Sequence, residues 1–208
     1  TVTVTGYGGP TLALYAAGDD WDVEPDNRIE IPNNTASTSL RVVGDINCDG
    51  RDDVFLSDTN TRGYTDPLTG EYAMDAGSVW LFAGGFDELG DPALTNPEGA
   101  SATGVEDRGL FIFGLSYHKF GSGAEAAGDV DGDGCADFLI SSGGTVSDNP
   151  TTLWFGAPDI FSGGVVFSSD ADATFTPGHS GVAAAGNVNG DEYADIWMAM
   201  YDDSYYLF

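Results

Sequence analysis

Residues 129–137 read Asp-Val-Asp-Gly-Asp-Gly-Cys-Ala-Asp, and the apolar run Phe138-Leu139-Ile140 follows at once. Carboxylates at the first, third, fifth and ninth positions repel one another unless a cation lies between them. An all-oxygen donor set selects a hard divalent ion, and calcium is the usual one. In this reading Asp129, Asp131 and Asp133 each give a side-chain oxygen, Cys135 gives its backbone carbonyl and Asp137 closes the loop. Gly134 lets the chain turn tightly round the ion. The Cys135 thiol has no part in it.

Two relatives of this stretch make it a repeat. Asp45, Asn47, Asp49 and Asp53, with the carbonyl of Arg51, precede Val54-Phe55-Leu56; Asn187, Asn189, Asp191 and Asp195, with the carbonyl of Tyr193, precede Ile196-Trp197-Met198. An EF-hand opens with the same alternation but needs an acid eleven residues after its first ligand. Those positions are Leu56, Ile140 and Met198, so each loop closes at its ninth residue and runs into a strand. Merely solvated acidic turns are the competing reading, and it weighs most at the third loop. There two Asn replace carboxylates, and Glu192 stands at the place of Gly134, where a left-handed backbone costs a side chain energy. The third loop is expected to hold calcium most weakly.

These loops sit in a chain of 208 residues with 34 acidic and 6 basic side chains, a formal charge of −28. That balance disfavours nucleic acid and anionic membrane as partners and favours cations. Hydrophobic residues at 41% and aromatics at 12% are enough for a packed core. No apolar run is long enough to span a bilayer, and no signal segment or initial Met is present, so a mature product or an excised portion is expected. With two cysteines, Cys48 and Cys135, no disulfide framework is expected; free, partly buried thiols are favoured over mutual pairing.

The elements that position the loops read as strands. Leu40–Gly44 enters the first loop and Val54–Ser57 leaves it, with further strands at Ser78–Phe82 and Leu110–Phe113. The second unit reads Gly123–Gly128, Phe138–Ser141, Thr152–Phe155 and Val165–Phe167; the third Val182–Gly186, Ile196–Met200 and Ser204–Phe208. Four antiparallel strands per loop make an all-β chain of propeller blades. The blades are expected over 36–114, 115–177 and, incomplete, 178–208, behind an incomplete leading blade over 1–35, all within one domain. The entering strands, such as Ala124-Glu125-Ala126-Ala127, are small-residue runs suited to a crowded axis. The later ones carry Trp80, Phe82, Trp154, Phe155, Tyr205 and Tyr206, expected to fill the space between blades. His118 and His179 stand just before the entering strands of the second and third units, which suits a repeat position better than a catalytic pair. No nucleophile elbow, zinc motif or phosphate loop occurs, so no enzyme is expected.

Phe120-Gly121-Ser122-Gly123, Ala126-Ala127-Gly128 with the Asp129–Asp137 loop, and Phe138-Leu139-Ile140 resemble the FG-GAP repeat of integrin α-subunit β-propellers and their bacterial relatives. The third unit keeps Ser180-Gly181, Ala184-Ala185-Gly186 and its loop; the first keeps Val43-Gly44 and its loop. Ala36-Ser37 and Gly178-His179 stand where the Phe-Gly pair is expected. The resemblance implies a seven-bladed propeller of which this chain is a segment, the remaining blades coming from a longer chain or another one. It also implies structural calcium at two or three sites and an extracellular adhesion or recognition scaffold with a protein or glycan ligand. A sugar-binding propeller, using pockets lined by some of Trp21, Trp80, Trp154 and Trp197, is the alternative; a propeller-fold polysaccharide lyase or hydrolase is a more distant one.

Overall fold

The computed structural model describes residues 38–60, 65, 70–84, 109–144, 149–176, 179–200 and 204–208. The expected leading blade over 1–35, Trp21 within it, and residues 61–64, 66–69 and 85–108 of the first unit lie outside them. Among the described residues every regular element is a strand apart from two 3-10 turns, and the strands form three sheets.

Sheet I holds β1 (Thr38–Gly44), β2 (Asp53–Asp58), β3 (Ser78–Phe82) and β4 (Gly109–Phe113), each antiparallel to the next. Sheet II holds β5 (Phe120–Gly128), β6 (Asp137–Ser142) and β7 (Thr151–Trp154) in the same arrangement. One strand departs from expectation. β8 (Val165–Phe167) runs parallel to β4 on the edge of sheet I, and β9 (Ala173–Phe175) pairs with β7 as the fourth strand of sheet II. Both are three-residue runs that sequence pattern ranks alike. The chain between β7 and β9 decides, because a 3-10 turn over Ile160–Gly163 and a left-handed Gly164 (φ 69°) lead it back to sheet I, where the Phe111 N–H donates to the Gly164 carbonyl at 2.9 Å. Sheet III holds β10 (His179–Gly186), β11 (Asp195–Met200) and β12 (Tyr205–Leu207).

The sheets stack face against face. Phe55, Val79 and Leu81 of sheet I bury against Ala124, Phe138, Ile140 and Trp154 of sheet II. Leu139 and Leu153, on the other face of sheet II, bury against Ile196 and Met198 of sheet III. A central strand covered on both faces needs a continuous apolar run, and Val-Phe-Leu in β2 and Phe-Leu-Ile in β6 supply one. The small-residue strand β5 lies between β1 and β10, so the entering strands of the three sheets are neighbours. Alanine and glycine there permit the close approach.

The Phe-Gly pair has a visible task. Phe120 is fully buried in the core between sheets I and II, its N–H donating to the Ala76 carbonyl at 2.8 Å. Gly121 adopts φ 85°, and a Cβ there would sit 2.7 Å from Ser57 Cβ. Register sets His179 opposite Met200 as Phe120 is set opposite Ser142, so His179 corresponds to Phe120 and not to His118. The expected repeat position shared by the two histidines is therefore corrected. Trp154 is core, stacked on Phe138 with ring centroids 6.3 Å apart. Tyr205 and Tyr206, by contrast, are exposed on the edge strand of sheet III, where Tyr206 stacks on Phe208, ring centroids 6.3 Å apart.

Candidate cation loops

Each loop joins the first strand of a sheet to its second, so antiparallel pairing brings loop positions 1 and 9 together. In the second loop the two Asp129 oxygens accept from Gly132 N–H (2.7 Å) and Gly134 N–H (3.0 Å). Asp131 accepts from Asp133 N–H at 3.1 Å, and Asp133 from Cys135 N–H at 2.8 Å. Asp137 is fully buried and accepts from Val130 N–H (2.6 Å) and Gly156 N–H (2.8 Å). The loop is a nest of amides turned toward carboxylates, and Gly132 (φ 82°) and Gly134 (φ 96°) supply the left-handed turns it requires.

Carboxylate oxygens of Asp129, Asp131 and Asp137 lie within 4.8 Å of one another. Asp133 stands outside that trio. Three like charges so close are costly without a cation or a proton. Burial pushes the Asp137 carboxyl up to about 6, with the Asp131 charge adding to the rise and the two amide donors opposing it. The donor chemistry therefore fits a hard cation held by these three side chains.

The first loop repeats the frame. Asp45 accepts from Asp49 N–H (2.9 Å) and Gly50 N–H (2.8 Å), and Asp49 accepts from Arg51 N–H (3.0 Å). Asp53, fully buried, accepts from Ile46 N–H (2.8 Å) and Gly84 N–H (2.6 Å). Burial pushes Asp53 up to about 6, and the charges of Asp49 and Asp45 add to it. Asn47 donates to Asp49 at 3.4 Å.

The third loop differs inside the same outline. Asp195 is buried and accepts from Val188 N–H at 2.6 Å, as its counterparts do. Asn187 accepts from Gly190 N–H at 2.7 Å through one atom, but its amide nitrogen donates to the Asp191 carbonyl. Left-handed φ outside glycine is confined, among the described residues, to Cys48, Asp75, Tyr117 and Lys119. Glu192 thus does not bear the backbone cost expected of it. An Asp at position 1 turns the N–H of residue 6 inward; the Asn turns the carbonyl of residue 5 inward instead, and residue 6 leaves the left-handed region.

Neighbouring loops lock together by one rule. Ala136 N–H donates to the Asp45 carbonyl at 2.9 Å, and Ala194 N–H to the Asp129 carbonyl at 2.8 Å. Cys48, at position 4 of its loop, is bonded to Cys135, at position 7 of the next, with Cα atoms 5.0 Å apart. The expectation of free thiols is overturned. Eighty-seven residues separate the two, and only the stacking of sheets I and II brings them together. The next pair of loops repeats the approach: the same positions there are Gly132 and Tyr193, and a Cβ on Gly132 would meet the Tyr193 ring at 2.6 Å.

No helix among the described residues is long and apolar enough to cross a membrane. No family model matches the chain and no curated protein matches it, so the likeness to FG-GAP repeats stands on the residues that carry it.

Proposed function

We propose that this chain is a calcium-stabilised propeller segment of the FG-GAP kind, working outside the cell as a recognition or adhesion scaffold. The observation that carries the calcium reading is the convergence of Asp129, Asp131 and Asp137 on one point among inward-turned amides. In the first loop Asp45, Asn47, Asp49 and Asp53 would hold the ion in the same way. Bound calcium supplies charge neutralisation and no chemistry, so the chain's own residues do the work of fixing the loop between two strands.

Packing periodicity supports further blades. Phe55 in sheet I and Leu139 in sheet II are each buried by the following sheet. Trp197 occupies the same place in sheet III, one residue after Ile196 as Leu139 follows Phe138, and it is 43% exposed beside Leu207. A following sheet of the same repeat is the cover that this face fits. The Cys48–Cys135 disulfide supports an oxidising, extracellular setting.

Thermal denaturation in excess calcium and in excess chelator tests the calcium reading. Chelation is expected to lower Tm by about 10 °C or more, since the ion binds only the folded loops. Asp137→Asn should remove the second loop's share of the difference. Identical melting curves would remove calcium from the structure. A glycan array separates a sugar ligand, for which exposed Trp197 and Tyr205 offer stacking surfaces, from a protein ligand.

A further inference from the structure

The third loop closes on itself where the second converges on a point. Its Asn189 amide nitrogen donates to Asp191 Oδ2 at 2.7 Å and to Asp195 Oδ1 at 3.2 Å, while Asn189 Oδ1 accepts from Asp191 N–H at 2.8 Å. The corresponding oxygens of Asp53 and Asp137 accept instead from backbone N–H groups of Gly84 and Gly156, and the first loop's position-3 amide, Asn47, reaches Asp49 alone, at 3.4 Å. An amide nitrogen reaching two carboxylates does part of a cation's work, bridging the fifth and ninth positions with hydrogens directed at both. At position 1 the Asn187 amide nitrogen donates to the Asp191 carbonyl, so one of the two atoms that are both acceptors in Asp45 and Asp129 is a donor here. The peptide between Asp191 and Glu192 has turned over to suit it, and Glu192 escapes left-handed φ as a result.

We infer that the third loop takes no divalent cation and is closed by its own amides, Asn187 and Asn189 standing in for the ion. This rests on the calcium reading of the first two loops, of which it is the exception. The two asparagines and Glu192 act as one set: donor amides at positions 1 and 3 remove the need for an ion, and the overturned peptide removes the need for glycine at position 6. A consequence is that the end of the molecule bearing sheet III keeps its first hairpin at calcium concentrations that leave the other loops unneutralised.

Amide hydrogen exchange, followed residue by residue in calcium and in chelator on the whole 208-residue chain, tests this directly. In the native sequence, exchange over 187–195 is expected to differ by less than about twofold between the two conditions, while that over 129–137 slows about tenfold or more in calcium. The triple variant Asn187→Asp, Asn189→Asp, Glu192→Gly restores the pattern of the second loop and should acquire calcium-dependent slowing over 187–195. Asn189→Asp alone, a change of one side-chain atom, should raise exchange in chelator and slow it in calcium, and serves if the triple variant fails to fold. Calcium-dependent slowing over 187–195 in the native chain would overturn the inference, as would variants that fold yet gain no response there. Absence of any effect over 129–137 and 45–53 would instead defeat the calcium reading, a separate outcome in the same data.

Discussion

The junction between the first and second loops and the junction between the second and third are built on the same frame and closed differently. Both have an Ala N–H donating to a position-1 carbonyl, and both have a Gly and an Ala in close approach, Gly44 with Ala136 and Gly128 with Ala194. At the first, position 4 is bonded covalently to position 7; at the second, an aromatic ring lies over a glycine. The backbone therefore sets the spacing, and the side chains at positions 4 and 7 are free to choose how it is held. Cys48 even accepts φ 59° where Gly132 and Gly190 have φ 82° and 85°, so the disulfide is carried by a residue in a conformation that suits glycine.

The largest expected effect comes from breaking the covalent junction. The double variant Cys48→Ser, Cys135→Ser should lose about 2–5 kcal/mol of stability in denaturant titration, the range for a long closed loop, and become insensitive to dithiol reductants. A loss below about 0.5 kcal/mol would mean that the shared backbone frame alone holds the sheets. Next comes the glycine junction: Gly132→Ala should cost about 1–2 kcal/mol, part from left-handed φ and part from the ring. Adding Tyr193→Ala should return the steric part only, and full recovery would show that the backbone conformation carries no cost.

What the two junctions share is a buried position-9 carboxyl beneath each of the first two loops, and pH probes it. In excess chelator Asp53 and Asp137 titrate near 6 in the folded chain and near the ordinary 3.8 when unfolded. The folded state then binds more protons between those values, so stability should fall as pH rises through that window. Excess calcium favours the charged form and should reverse the slope. A chelator slope of the opposite sign in urea melts from pH 4 to 7 would refute it. The smallest effect is a graft: Gly132→Cys with Tyr193→Cys places the first junction's bond at the second, and oxidation should raise stability by about 1 kcal/mol, the gain in loop closure being offset by left-handed strain at residue 132. Failure of the pair to oxidise, read by thiol titration, would show that the two junctions differ in spacing after all.

Much of this was legible in the residues. β1 to β4 follow the alternation and apolar runs of the first unit to within two residues, because each is bounded by a loop with strong turn chemistry. The trio Asp129, Asp131 and Asp137 followed from carboxylate spacing. The disulfide did not, since pairing depends on how whole sheets stack and local pattern carries no record of that. Nor did the turned peptide at Asp191: the sequence announced a cost at Glu192, but only an explicit placing of the Asn187 amide reveals how the loop avoids it. β8 was misassigned because a three-residue β-branched run specifies extended backbone and leaves its partner open.

The placement of β8 bears on how the molecule is made. Its residues follow β7 in the chain yet complete the edge of sheet I. During synthesis the outer edge of β4 stays unpaired by β8 until residues 165–167 have emerged, by which time most of sheet II is available to form. The first two sheets are therefore interlaced and mature together, and a cut at the apparent boundary near residue 114 would leave each fragment with a raw edge open to the wrong neighbour.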